Sequence, residues 1–333
     1  MKRLISLLLC ALLIVPALAE DAPDFEPIPW DIKVSPNLPN PDCYLPNNGG
    51  YHDDSIDIQI NVTYWTQDLQ QVDAPGEGTT TVMSARVKLT DVSQFRTGFA
   101  NKYPSKQARH VNDMTKRFNA VMGIDGDYCL YHEQGIVVRN GQTLRMRPHK
   151  GRDELIVDEN GDFHLITCTT QAKWDEYIAG GGTVLHAFCF GPALVVDGVP
   201  LTNLDDVTID NGKAKKAQRM VIGQIGKLEY LILTNEGPES TAPKSVGFDL
   251  VQMANLCAQF GLDNAYNLDG GSSSTIALNN QKINSPSSHK NRMVGDCIWF
   301  ATLVKEETWR EEESAQTLSL IHISEPTRPL YIS

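Results

Sequence analysis

A ladder of short apolar segments, closed off by tight-turn residues, limits the fold of this chain more than any other feature. Segments 135–139, 154–157 and 163–167 are too short for helices. They are separated by Asn140-Gly141 and by Asp158-Glu-Asn-Gly-Asp162, residues that supply the turn conformations hairpins require. Upstream, 56–64 alternates through Ile56, Ile58, Ile60 and Val62, and 81–89 carries Val82 and Val87 among small residues. Both read as strands. A helix over 107–118 leads into a buried strand at 120–124. Further strands are expected at 187–196 and 221–233, the latter turning at Gly226-Lys227, and 174–179 reads as a short helix ended by Gly180-Gly-Gly. Helices are few and no strand–helix–strand repeat occurs. The expected fold is therefore α+β, a single sheet-rich domain with mixed or antiparallel pairing. Neither a G-x-G-x-x-G nor a G-x-x-x-x-G-K-[ST] motif is present, so no nucleotide site is implied.

The start of the chain reads as a secretory signal over 1–19. Lys2 and Arg3 precede an apolar run from Leu4 to Val15, and Ala17-Leu-Ala19 is a small-x-small cleavage site. That run is too short to span a bilayer, so a secreted, extracytoplasmic protein with no stable membrane insertion is expected. Residues 20–75, rich in Pro, Asn and Asp over 20–55, read as an arm or linker carrying a first strand, and 76–307 as the main domain. The last segment, 308–333, reads as a non-native tail. From about 318, Leu318-Ser-Leu-Ile-His-Ile-Ser-Glu-Pro-Thr-Arg328 resembles a translated sequencing adapter. The net charge of −12 argues against a nucleic-acid partner. Removing Cys10 with the signal leaves Cys43, Cys129, Cys168, Cys189, Cys257 and Cys297. An exported chain can pair these in up to three disulfides, although Cys189 and Cys257 sit in apolar surroundings and suit burial as thiols equally well.

The densest chemistry lies at Asn264-Ala-Tyr-Asn-Leu-Asp-Gly-Gly-Ser-Ser-Ser-Thr275. Leu250, Met253, Ala254 and Cys257 give 248–260 a helical period, with Gly261 placed to stop it. Strands at 265–268 and 275–278 then bracket Asp269, which sits where a strand leaves the sheet. Gly270 and Gly271 allow close approach, so successive N–H groups can face a small anion. The same residues also fit a plain tight turn between strands.

In order along the chain, Asn119–Tyr128, Gly135–Gly141, Phe188–Leu194, Arg219–Gly223, Gly247–Leu250, Asn264–Thr275 and Arg292-Met-Val resemble the phosphodiester glycosidase family. The likeness runs from about residue 80 to 303. It departs from the family at Asp125-Gly-Asp-Tyr128, at Ser272 in place of a third glycine, and at Asn235-Glu-Gly237, which bear on sugar specificity. The resemblance implies hydrolysis of a sugar C1–O–phosphate bond in a glycan or cell-wall polymer, releasing free sugar and a phosphomonoester. A phosphate leaving group needs charge stabilisation more than protonation. Asp269 is accordingly the first candidate for catalytic carboxylate, with Asp125 and Glu236 as partners. Arg219 and Arg292 are candidates for phosphate contact through bidentate guanidinium geometry. Gly270, Gly271, Ser272, Ser273 and Thr275 complete the expected substrate site.

No cofactor or metal is implied, although Asp125 with Asp127 offers oxygen ligands suited to calcium. Asp158-x-x-Gly resembles a calcium loop only faintly and reads as a turn. His132 lies close enough to Tyr128 to line a pocket but reads more simply as a surface residue. Two other functions fit the same residues: cleavage at phosphorus by a phosphodiesterase or phosphatase, and non-catalytic binding of phosphorylated surface polysaccharide.

Overall fold

The computed structural model describes residues 25–208, 214–238, 240, 244–284 and 291–311. The expected signal (1–19), most of the tail and the adapter-like segment lie outside these. The architecture is α+β and its strand pairs are antiparallel. One large sheet runs in the order Tyr44–Leu45, Gly50–His52, Ile56–Trp65, Thr80–Leu89, Glu229–Asn235, Arg219–Gly226, Asn264–Asn267, Ala193–Val196, Val199–Pro200. Two five-stranded sheets complete the fold.

Side-chain alternation explains how the layers stack. Along Arg219–Gly226, Met220 and Ile222 enter a core shared with Met122, Ile124, Leu155, Phe188, Ile298 and Phe300 from the two smaller sheets. Val221 faces the other way and packs with Leu250, Met253, Ala254 and Cys257. Those four belong to the helix Leu250–Gln259. Asp249 and Gln252 form a reciprocal capping box at its start, satisfying N–H groups that the first turn leaves open. Gly261, at φ +75°, ends it. Among the described residues, no helix is long and apolar enough to cross a membrane.

Several elements differ from expectation. The segment read as an arm supplies Tyr44–Leu45 and Gly50–His52 to the large sheet, and Tyr51 is fully buried there. The helix expected over 107–118 spans Val111–Phe118, because Arg109 is drawn into a bridge with Val294. The strand expected at 187–196 is two strands, His186–Phe188 and Ala193–Val196, in different sheets. Between them Gly191 takes φ +70° and Pro192 offers no N–H. A further strand, Gln142–Arg147, pairs across the Asn140-Gly141 turn with Gly135–Arg139. Arg292 does not open the last strand, Asp296–Phe300, but precedes it in a loop.

Candidate active site

The strand Met122–Asp125 lies between Ile276–Leu278 and Asp296–Phe300 in one of the smaller sheets. Ile124 pairs with Ile276, so Asp125 stands opposite Thr275, whose N–H donates to Asp125 Oδ1 at 2.8 Å. Asp269, arriving from the large sheet, donates its backbone N–H to the Gly126 carbonyl. Three segments remote in sequence thus place Asp125 and Asp269 as neighbours. Asp125 Oδ2 and the hydroxyls of Ser274 and Thr275 are buried and find no hydrogen-bond partner among the described residues.

The two carboxyls differ electrostatically. Burial pushes Asp269 up to about 6, while the Ser273 hydroxyl, Arg292 and the Gly270 N–H hold it back from rising further. Burial and then the neighbouring Asp269 raise Asp125 well above the usual carboxylate range. Neighbouring like charges do not both ionise readily. Near neutral pH, Asp269 is the member that ionises and Asp125 the one that keeps a proton. That proton belongs on Oδ2, since Oδ1 already accepts from Thr275.

Beneath this pair lies a second charged group for which the sequence offers little local signal. Asp127, Arg139 and Asp296 are all buried. Arg139 Nη2 donates to Asp127 Oδ1 at 2.9 Å and to Asp296 Oδ2 at 3.1 Å. Asp127 Oδ2 accepts from the Cys189 N–H at 2.8 Å. Despite burial, Arg139 and these N–H donors keep Asp127 below its usual range. Burial and the adjacent Asp127 raise Asp296 to about 7. Gly126 is required here, because a Cβ would stand 2.5 Å from the Asp296 carboxylate.

Asp127, Cys129 and Asp296 have the spacing of a metal cluster. Arg139, however, already supplies the positive charge and bonds to all three. Asp127, weighed above as a calcium ligand beside Asp125, has both oxygens engaged. The Asp158 loop is a turn, with Asp158 accepting from the N–H groups of Asn160 and Asp162 and meeting His164. All six described cysteines are free thiols, and Cys189 and Cys257 are buried.

The other expected site residues divide. Arg292 is exposed, sits over the Tyr128 ring at 5.6 Å and acts on Asp269. Arg219 opens its strand, and its Cα lies 3.8 Å from a Cβ placed on Gly270. Its guanidinium, however, donates to the Lys215 carbonyl at 2.6 Å and feels Asp249. It therefore lies toward the capped end of the helix rather than with the carboxylates. Glu236 meets Gln218 at 3.5 Å and acts on Lys282. Gln218 in turn accepts the Gly271 N–H, so Glu236 lies behind the glycine turn.

Four N–H groups of the turn expected to cradle an anion are engaged within the protein. The N–H groups of Gly271, Ser273, Ser274 and Thr275 bond to Gln218 O, Gly270 O, Gly271 O and Asp125 Oδ1. Gly271–Ser273 is a 3-10 turn that uses those of Ser273 and Ser274. Ser272 is half-buried on this turn. His132 is half-buried, packs on Tyr128 and Phe190, and lies 3.0 Å from Arg152.

A sequence profile of the phosphodiester glycosidase family matches residues 118–301, more than half of the chain. No curated protein matches it. Among solved structures the chain is similar to the zebrafish N-acetylglucosamine-1-phosphodiester α-N-acetylglucosaminidase catalytic domain, auto-inhibited by its pro-peptide. The identity is 15%, the TM-score 0.59, and the match covers 76% of this chain and 86% of that one. It is also similar to a hypothetical protein from Synechocystis, at 14% identity and TM-score 0.50, over 74% of this chain and 62% of that one. At these identities the likeness establishes a shared fold, and function has to be argued from the site.

Proposed function

We propose, since this chain belongs to the phosphodiester glycosidase family, that it hydrolyses a sugar-1-phosphodiester at the C1–O bond. The observation that carries the reading is the Asp125–Asp269 pair, one carboxyl ionising near pH 6 and the other holding its proton higher, with Arg292 acting on Asp269. Two titratable groups driven apart by their surroundings are the signature of an acid and a base working together.

In this reading Asp269 takes a proton from a water whose oxygen bonds to C1 as the C1–O bond breaks, or attacks C1 itself to form a glycosyl ester that water then hydrolyses. The phosphomonoester leaves with the bridging oxygen and the bonding pair. Asp125, protonated on Oδ2, donates a hydrogen bond or its proton toward that oxygen. Arg292 neutralises the phosphate with a planar fork of donors. The Asp127–Arg139–Asp296 group positions the strand ends and does not touch substrate. Glu236 supports the glycine turn from behind through Gln218.

The N-terminal signal-like segment supports action outside the cytoplasm, on a glycan or envelope polymer. Incubation with methyl N-acetylglucosamine-1-phosphate tests the reading. Free N-acetylglucosamine plus methyl phosphate is expected, and release of N-acetylglucosamine-1-phosphate refutes it.

A further inference from the structure

A cleft of about 520 Å³ opens beside the proposed site, lined among others by Tyr131, Lys106, Arg145, Arg147 and His132. Its chemistry sets it apart from the rest of the surface. The chain carries a net charge of −12, yet three of these five residues are permanent cations and only Glu133 opposes them along the lining. Arg145 is committed to structure, since its guanidinium donates to the carbonyls of Cys129, His132, Gly135 and Gln134. Lys106 and Arg147 are exposed, with Arg147 reaching the Glu133 carbonyl at 3.5 Å.

A chain of contacts leads from Arg292 through Tyr128 to Tyr131 in the cleft wall. Arg292, which acts on Asp269, lies 5.6 Å from the Tyr128 ring centre. Tyr128 stacks on Tyr131 at 4.4 Å and 23°. Tyr131 is 37% exposed, and the Lys106 ammonium lies 5.7 Å from its ring centre. Its hydroxyl donates to the Lys106 carbonyl at 3.2 Å, fixing the ring at the cleft wall. A rigid aromatic face suits the C–H face of a sugar ring, and cations spaced around it suit the phosphates between rings.

We infer that this cleft is a subsite for the continuation of an anionic glycan. The enzyme's substrate is then a polymer of sugars joined through phosphate, gripped by Tyr131, Lys106 and Arg147 next to the cleaved bond, rather than a small diester. The inference rests on the glycosidase reading for its direction, but binding in the cleft is measurable without turnover.

Two probes separate the readings: an oligomer of six N-acetylglucosamine-1-phosphate units, and the neutral N-acetylglucosamine hexamer. Calorimetry on Asp269→Asn protein is expected to show binding of the phosphate oligomer and none of the neutral one. The doubly substituted Lys106→Glu, Arg147→Glu protein, changed only at exposed positions, is expected to lose at least about tenfold in affinity for the phosphate oligomer. On wild-type background the same pair should cut hydrolysis of that oligomer by a similar factor and leave hydrolysis of methyl N-acetylglucosamine-1-phosphate within about twofold. Tyr131→Ser should weaken oligomer binding without restoring binding of the neutral chain. Equal binding of both hexamers, no binding of either, or an equal loss on short and long substrates overturns the subsite. If neither substrate is hydrolysed but oligomer binding still depends on Lys106, Arg147 and Tyr131, the subsite stands and the proposed reaction falls.

Discussion

Replacing Asp269 with Asn should make the protein more stable at pH 8 while abolishing turnover. Asp269 is 9% exposed, and its carboxyl is pushed from 3.8 to about 6, chiefly by burial. A carboxyl whose folded pKa exceeds its unfolded value binds its proton more tightly in the native state. Its contribution to stability is therefore fully present below about 3.8 and is lost as the pH rises through about 6. Each pKa unit corresponds to about 1.4 kcal/mol, so ionised Asp269 costs the native state about 3 kcal/mol at pH 8. Asparagine has nearly the same shape, its Oδ1 can still accept the Gly270 N–H, and it carries no charge to bury. The expected gain is about 2–3 kcal/mol at pH 8, or about 5–10 °C in Tm, shrinking to under about 0.5 kcal/mol at pH 4. Turnover should fall by at least about a hundredfold, since Asn is neither base nor nucleophile. Urea denaturation of both proteins at pH 4 and pH 8, with initial rates measured on the same samples, reads all of this. A loss of stability at pH 8 with less than tenfold loss of rate would return Asp269 to the role of a turn residue. A gain of equal size at both pH values would show that its charge is not the cause.

Three further outcomes are expected. Arg139→Met leaves Asp127 and Asp296 as buried carboxylates without their cation and should cost about 3–5 kcal/mol in denaturant unfolding; a loss under about 1 kcal/mol refutes the buried network. Arg292→Lys should keep the wild-type unfolding midpoint but reduce kcat/KM about ten- to a hundredfold, by removing a forked contact to phosphate; unchanged kinetics put the phosphate elsewhere. Activity should rise with pH through an apparent value of about 6 as Asp269 ionises and fall at higher pH as Asp125 releases its proton. A profile flat from pH 5 to 8 contradicts that division of roles.

What could be read from sequence followed local periodicity. The helix Leu250–Gln259 has its apolar stripe, its Asp249/Gln252 capping box and its Gly261 stop within a dozen residues, and Asn140-Gly141 makes the two-residue turn it signals. Gln142–Arg147 was hard to read, because this strand is polar and exposed along much of its length and its alternation is confined to Leu144 and Met146. The break at Gly191-Pro192 was hidden inside an apolar run whose two halves join different sheets.

At the site, Asp269 and Asp125 stand out at strand ends followed by glycines, whereas Arg139 and Asp296 give no such local sign. Arg139 lies 12 residues from Asp127 and 157 from Asp296, and only the sheet order brings them together. The usable hint was a charge at the end of each buried strand, Gly135–Arg139 and Asp296–Phe300, where burying it requires a partner. The glycine turn misled for a related reason. Gly271 does take φ +61°, but its N–H and that of Thr275 go to Gln218 and Asp125, and those of Ser273 and Ser274 close the turn itself.

The central claim is that water attacks carbon, with Asp125 and Asp269 as the acting pair. Product identity alone leaves this open, because cleavage of the sugar-side P–O bond also gives free sugar and a phosphomonoester. Hydrolysis of methyl N-acetylglucosamine-1-phosphate in ¹⁸O-labelled water, with early products read by mass spectrometry, distinguishes the two. The account predicts ¹⁸O at C1 of the released sugar and none in methyl phosphate, whereas ¹⁸O in the methyl phosphate would contradict it.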